Sequence, residues 1–165
     1  MTKAIFPGSF DPVTNGHLET IKKAARLFEK VYVVVMTNTK KKYLFSSQDR
    51  WNFIFDEVKD WPNVEVLIRD EDLTVSVARK LGARVIVRGL RNSKDFIYEQ
   101  EMASLNSKLA PEIETVFLLT SAENSVIASS MVKEVAQFGG DVSAFLPKKA
   151  SQALKKVMQD GKRKN

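Results

Sequence analysis

One histidine, two arginines, a run of lysines and a pair of serines hold most of the chemistry this chain could perform. His17 is the only histidine. It closes the run Pro7-Gly8-Ser9-Phe10-Asp11-Pro12-Val13-Thr14-Asn15-Gly16, at a point where helical spacing begins. A helix start presents unpaired N–H groups and partial positive charge, so it binds anions and favours a neutral imidazole able to donate one hydrogen bond. Gly8 permits close backbone approach, and Ser9 adds a hydroxyl. A lone histidine at a helix start is also an ordinary surface residue, so its company decides the reading. Arg88 and Arg91 stand three apart after an apolar run, and their planar forks suit phosphate. The plain alternative is an ion pair with Glu99 or Glu101. Lys40-Lys41-Lys42, taken alone, is a solvated loop. Ser129 and Ser130 open a later helical stretch, where they either cap the helix or offer donors to an anion.

These groups need elements that bring them together. Ala4–Phe6, Val31–Met36, Val64–Ile68, Val85–Val87 and Val116–Leu119 read as strands, and Val31–Met36 is apolar throughout, as a strand covered on both faces should be. Between them lie helical spacings. Leu18, Ile21, Ala25 and Phe28 form one, and Trp51, Ile54, Phe55 and Val58 form another behind a Ser46–Asp49 capping signal. Val75–Leu81 ends at Gly82, Asp95–Leu109 stops before Pro111, and Ile127–Phe138 precedes Gly139-Gly140. Strand and helix alternate five times. That order predicts a single-domain α/β fold, a doubly wound (Rossmann-like) five-stranded parallel sheet with helices on both faces and a C-terminal helix. Ligands in such sheets gather at the carboxyl ends of the strands, where the strand order reverses.

Composition narrows the function classes. The 165 residues are 44% hydrophobic and include no cysteine, which excludes thiolate zinc sites and cysteine nucleophiles and fits a cytoplasmic setting. No apolar run reaches the length of a membrane span. The net charge of +6 is concentrated in one place: from Lys148 onward there are seven Lys/Arg and one Asp, which leaves 19 basic and 19 acidic residues before it. A neutral body argues against a nucleic-acid module, which needs basic and aromatic residues on the folded surface. Residues 1–158 are expected to form the domain, and 159–165 a basic, frayed tail.

The run Gly8-Ser9-Phe10-Asp11-Pro12-Val13-Thr14-Asn15-Gly16-His17 resembles the signature of the nucleotidylyltransferase superfamily, and more narrowly that of the bacterial phosphopantetheine adenylyltransferases. Arg88-Gly89-Leu90-Arg91, Asp95-Phe96-Ile97-Tyr98-Glu99 and the stretch from Val126 to Val135 resemble further elements of that family in the same order. Ser9, Ala128 and Asn124 depart from it, standing where threonine, serine and an aromatic residue are usual. The resemblance implies transfer of the adenylyl group of ATP to 4′-phosphopantetheine, giving dephospho-coenzyme A and pyrophosphate, by direct in-line attack without a covalent intermediate. It implies His17 as transition-state stabiliser, with Ser9, Lys41 and Arg91 as further catalytic groups. Ser9, Lys41, Thr74 and Arg88 would contact the acceptor, with Lys42 as an alternative to Lys41. ATP would lie along Ser9, Phe10, His17, Gly89, Leu90, Arg91, Glu99, Asn124, Ser125, Val126, Ile127, Ala128, Ser129 and Ser130. Mg2+ would ride on the ATP phosphates with no ligand from protein side chains. A homohexamer, and coenzyme A as an inhibitor, are further implications. Another superfamily member with a different phosphorylated acceptor, or a catalytically silent homologue, stays open.

Overall fold

The computed structural model describes residues 2–38, 41–70 and 72–162. Strand and helix alternate in the order β1 (Lys3–Gly8), α1 (Asn15–Leu27), β2 (Lys30–Thr37), α2 (Ser47–Val58), β3 (Val64–Asp70), α3 (Thr74–Leu81), β4 (Val85–Leu90), α4 (Ser93–Leu109), β5 (Glu114–Leu119), then α5 (Ser129–Gln137) and α6 (Lys148–Lys162). The sheet order is β3-β2-β1-β4-β5, parallel throughout. The expected fold class is the one observed. Helix α6 runs past 158 to Lys162, so Gln159–Lys162 belong to it rather than to a frayed tail. The rest of that stretch, 163–165, lies outside the described residues.

Period-two side-chain alternation divides the sheet's apolar residues between two cores. Ala4, Phe6, Val31, Val33, Val35 and Val87 pack with Ile21, Ile54, Val132 and Leu154 of α1, α2, α5 and α6. Ile5, Val34 and Ile86 point the other way, onto Val75, Val77 and Ala78 of α3. Each such side chain contributes roughly 1.5–3 kcal/mol on burial. Helix α4 departs from this pattern. Glu99 is its only buried residue, while Phe96, Ile97, Tyr98, Leu105 and Leu109 are exposed.

Register places the functional end. β1 pairs with β2 from Lys3 through Gly8, but with β4 only at Ala4–Val85 and Ile5–Ile86. Past that point the two strands part at the reversal of strand order, and a crevice opens between them. No helix among the described residues is long and apolar enough to cross a membrane.

Candidate active site

A cleft of about 450 Å³ lies at the parting of β1 and β4. It is bordered by Ser9, Phe10 and His17, by Lys41 and Lys42, by Arg88, Gly89, Arg91 and Glu99, and by Ile127, Ala128 and Ser129. Four separate crossover segments therefore deliver the groups singled out in the sequence to one opening.

His17 owes its state to the local fold. Thr14 is the N-cap of α1: its hydroxyl accepts from the His17 N–H at 3.3 Å, and its own backbone N–H donates to His17 Nδ1 at 3.0 Å. Because Nδ1 is an acceptor, the ring proton belongs on Nε2. Burial lowers the imidazole pKa from 6.5 to about 4, and the Arg91 and Arg88 charges push it the same way. At neutral pH the ring is a neutral, single donor. Phe10, buried and with φ of 50°, sets its ring edge-on to His17 at 5.1 Å. Gly8 makes room for that ring: a Cβ there would stand 2.8 Å from it.

Both arginines are gripped in the same way. Arg88 gives Nε and Nη2 to Glu99 at 2.8 and 2.5 Å and Nη1 to the Pro7 carbonyl at 2.7 Å. Arg91 gives Nε and Nη2 to Asp95, both at 2.8 Å, and Nη1 to the Ile127 carbonyl at 3.3 Å. Asp95 and Glu99 lie one turn apart on α4, so one helix face aims both forks. The Arg91 hydrogen bonds hold the Asp95 carboxyl below its ordinary range. Each guanidinium has five N–H groups and uses three here, leaving two apiece for an anion. The ion-pair alternative with Glu99 is thus realised for Arg88, and it positions the fork rather than consuming it.

The loop after β2 brings Lys41, Lys42 and Tyr43 to the rim, while Lys40 lies outside the described residues. Asp11 secures this loop. Its two carboxylate oxygens accept from the Leu44 and Phe45 N–H groups at 2.9 Å, and one also takes Lys133 of α5 at 3.1 Å. On the far side Ala128 caps α5 with no side-chain hydrogen bond, leaving the first amides of the helix without an acceptor from the cap. Ser129 spends its hydroxyl proton on the Pro12 carbonyl at 2.8 Å.

Several expected site residues stand away from the cleft. Thr74 opens α3 and turns its hydroxyl to Met36 Sδ at 3.9 Å. Its chain neighbour Leu73 lines an adjoining groove together with Asp72, Met36, Tyr43 and Arg88. Leu90 is buried, and its carbonyl accepts from Thr120. Ser130 and Val126 are exposed, and Ser125 bonds back to the Ala122 carbonyl. The Asn124 amide donates to Glu19 at 2.7 Å. Burial pushes the Glu19 carboxyl up, but Lys23, Asn124 and Ser121 together outweigh it and bring its pKa to about 2.

Sequence reasoning missed Asp11, Thr20, Tyr43, Asp95, Thr120 and Lys133, all of which border the cleft. The signals for Asp95 and Asp11 were present, since both sit inside runs singled out for other residues. Thr20 had one too, as a polar residue on the buried face of α1, four positions after Gly16.

A cleft of this composition can hold several phosphoryl groups of one reaction. It offers an uncharged imidazole donor, two aimed guanidinium forks, rim ammonium groups and a helix N-terminus. Comparison with known proteins agrees. Residues 5–135 match the cytidylyltransferase-like family model. The chain is 59% identical to the phosphopantetheine adenylyltransferase of Lactobacillus acidophilus over 96% of its length and 99% of that protein's. It is 51% identical to that of Leuconostoc mesenteroides over 99% and 100%. Among solved structures, a candidate nicotinate-nucleotide adenylyltransferase from Vibrio parahaemolyticus superposes with a TM-score of 0.70 at 17% identity, covering 97% of each chain. A lipopolysaccharide core biosynthesis protein from Thermoplasma volcanium gives 0.54 at 21% identity, over 73% of this chain and 97% of that one. The two structures speak for the fold alone. The relatives, at this identity and coverage, decide the family: the chain is a member of the cytidylyltransferase-like family and, within it, of the phosphopantetheine adenylyltransferases.

Proposed function

We propose that the protein transfers the adenylyl group of ATP to 4′-phosphopantetheine. The terminal phosphate oxygen of the acceptor attacks the α-phosphorus of ATP in line. A new P–O–P bond forms, the bond from the α-phosphorus to the bridging oxygen breaks, and pyrophosphate leaves with that electron pair, giving dephospho-coenzyme A. The nucleophile is already anionic, so no general base is needed. Catalysis rests on positioning and on stabilising charge as it moves. His17 Nε2–H and the Ser9 hydroxyl serve the α-phosphate oxygens. Lys41 and the free N–H groups of Arg88 place the attacking phosphate, with Lys42 close enough to share that task. Arg91 and the open amides of α5 at Ser129 and Ser130 hold the leaving pyrophosphate. The nucleotide runs along Gly89 and Ile127, and the pantetheine arm occupies the groove beside Leu73 and Thr74. The observation that carries this reading is the neutral imidazole of His17 sharing one cleft with both forks and the lysine loop.

Magnesium enters as part of the substrate. The carboxylates of Asp11, Asp95 and Glu99 are each committed to a cation, which leaves phosphate oxygens and water as the natural ligands for the ion. Coenzyme A carries the product's frame and would inhibit by occupying the same cleft. Assembly into homohexamers is supported by the apolar residues that α4 exposes, and sedimentation of the purified chain tests it. A cytoplasmic setting is part of the same proposal.

The direct test mixes the protein with ATP, magnesium and a panel of phosphorylated acceptors, and then follows pyrophosphate. Release with 4′-phosphopantetheine and not with nicotinamide mononucleotide is the expected result. Release with another acceptor alone would overturn the substrate assignment.

A further inference from the structure

Among the described residues Arg50 is the largest fully buried side chain, and it has no acidic partner among them. Its Nε is buried without any hydrogen-bond partner. A guanidinium held this way is expensive, and an apolar residue on the same helix face would avoid the cost. What the charge does engage is specific. Nη1 donates to the Ser9 carbonyl at 2.7 Å and the Met36 carbonyl at 3.2 Å, and Nη2 donates to the Thr37 hydroxyl at 2.9 Å. The Tyr43 ring packs on the guanidinium, 4.2 Å from its carbon to the ring centroid.

These contacts tie three segments together at one side of the cleft: the loop after β1 at Ser9, the end of β2, and the lysine loop at Tyr43. The Tyr43 hydroxyl accepts from the Asn38 N–H at 2.8 Å, closing that loop on itself. Asp11 grips the same loop at the next two residues, Leu44 and Phe45. None of the Arg50 contacts reaches α4 or α5, where Arg91 and the open helix amides lie. We propose that Arg50 is a positioning residue for the acceptor half of the site: it sets the Lys41 segment against Ser9 at the spacing that brings the acceptor phosphate to the α-phosphorus, and it makes no contact with Arg91 or the α5 amides that hold the leaving pyrophosphate.

This inference rests on the adenylyl-transfer reading, and the test separates the two. Arg50→Lys keeps the charge and loses the planar fork. The KM values for 4′-phosphopantetheine and for ATP are measured separately, together with the melting temperature. The expected result is a rise of roughly tenfold or more in the acceptor KM, with the ATP KM within about threefold of the parent, because a misplaced loop costs binding only where it binds. Equal rises in both KM values, or no rise in the acceptor KM at any melting temperature, would overturn the proposal. Should Arg50→Lys fail to fold, Tyr43→Leu leaves the guanidinium in place and removes the ring that couples it to the loop. That variant is expected to show the same one-sided rise, and an unchanged acceptor KM overturns the proposal. If the parent itself transfers nothing to 4′-phosphopantetheine, the adenylyl-transfer reading fails instead.

Discussion

The backbone N–H of Thr14 donates to Nδ1 of His17 at 3.0 Å, so one hydrogen bond both closes the first turn of α1 and decides which ring nitrogen keeps the proton. The pKa of about 4 then keeps the ring uncharged between the two arginines. With one histidine in the chain, nitrogen-detected NMR gives an unambiguous titration. The expected spectrum is that of the Nε2–H tautomer, with a midpoint near 4 and no transition between pH 6 and 7. A midpoint near 6.5 would contradict the assignment.

The same shift makes a stability prediction with a defined sign. The folded pKa lies below the unfolded 6.5, so the unfolded chain binds the proton more readily. Stability from this group is therefore complete above pH 6.5 and is lost as pH falls toward 4, by an amount on the order of 2–3 kcal/mol. Glu19 and Asp95 have lowered pKa values, so their contribution is present above the ordinary carboxylate range and fades only at lower pH. Urea unfolding at pH 7.5 and at pH 5 should show the loss in the parent. His17→Ala should show little of it, and an equal loss in both proteins would assign the effect elsewhere.

Removing the imidazole should also cost turnover. His17→Ala is expected to fold with a modestly lowered melting temperature, since it forfeits one cap hydrogen bond, and to lose about 10²- to 10³-fold in kcat. A kcat within a factor of two of the parent would take His17 out of the mechanism.

Asp95 and Glu99 should separate the substrates. Glu99→Gln weakens the grip on Arg88 and is expected to raise the acceptor KM by roughly tenfold, and Asp95→Asn weakens the grip on Arg91 and should raise the ATP KM by a similar factor. If both variants affected the same substrate, the division of the cleft would be wrong.

Gly8 is fixed by the Phe10 ring, which is itself packed against His17. In Gly8→Ala the new methyl must displace that ring, so the expected outcome is a loss of 1–3 kcal/mol, by order of magnitude, together with a kcat defect. Crowding without a kcat defect would show that the imidazole does not depend on Phe10.

The fold was legible because each strand carries a short apolar run, most plainly Val31–Met36, and every connection between strands is helical. The cradle was legible because its residues cluster at strand ends. The phase of individual helices was less so. Trp51 and Phe55 fit the spacing of a buried stripe on α2, yet they stack on each other at 4.5 Å near the surface, while Arg50, Phe53, Ile54 and Val58 face inward. A charged residue on the buried face is hidden from a hydrophobic pattern by the very feature that makes it functional. Asn124 and Thr74 stayed ambiguous for another reason. Their partners, Glu19 and Met36, are distant in sequence, and only the folded chain pairs them.

A single direct displacement at the α-phosphorus is the core of the account, and its stereochemistry tests that most directly. With one diastereomer of an α-thio-substituted ATP and 4′-phosphopantetheine, the dephospho-coenzyme A analogue should form with inverted configuration at that phosphorus. Retention would require two displacements and a covalent adenylyl-enzyme, and would contradict a cleft that works only by holding and neutralising charge.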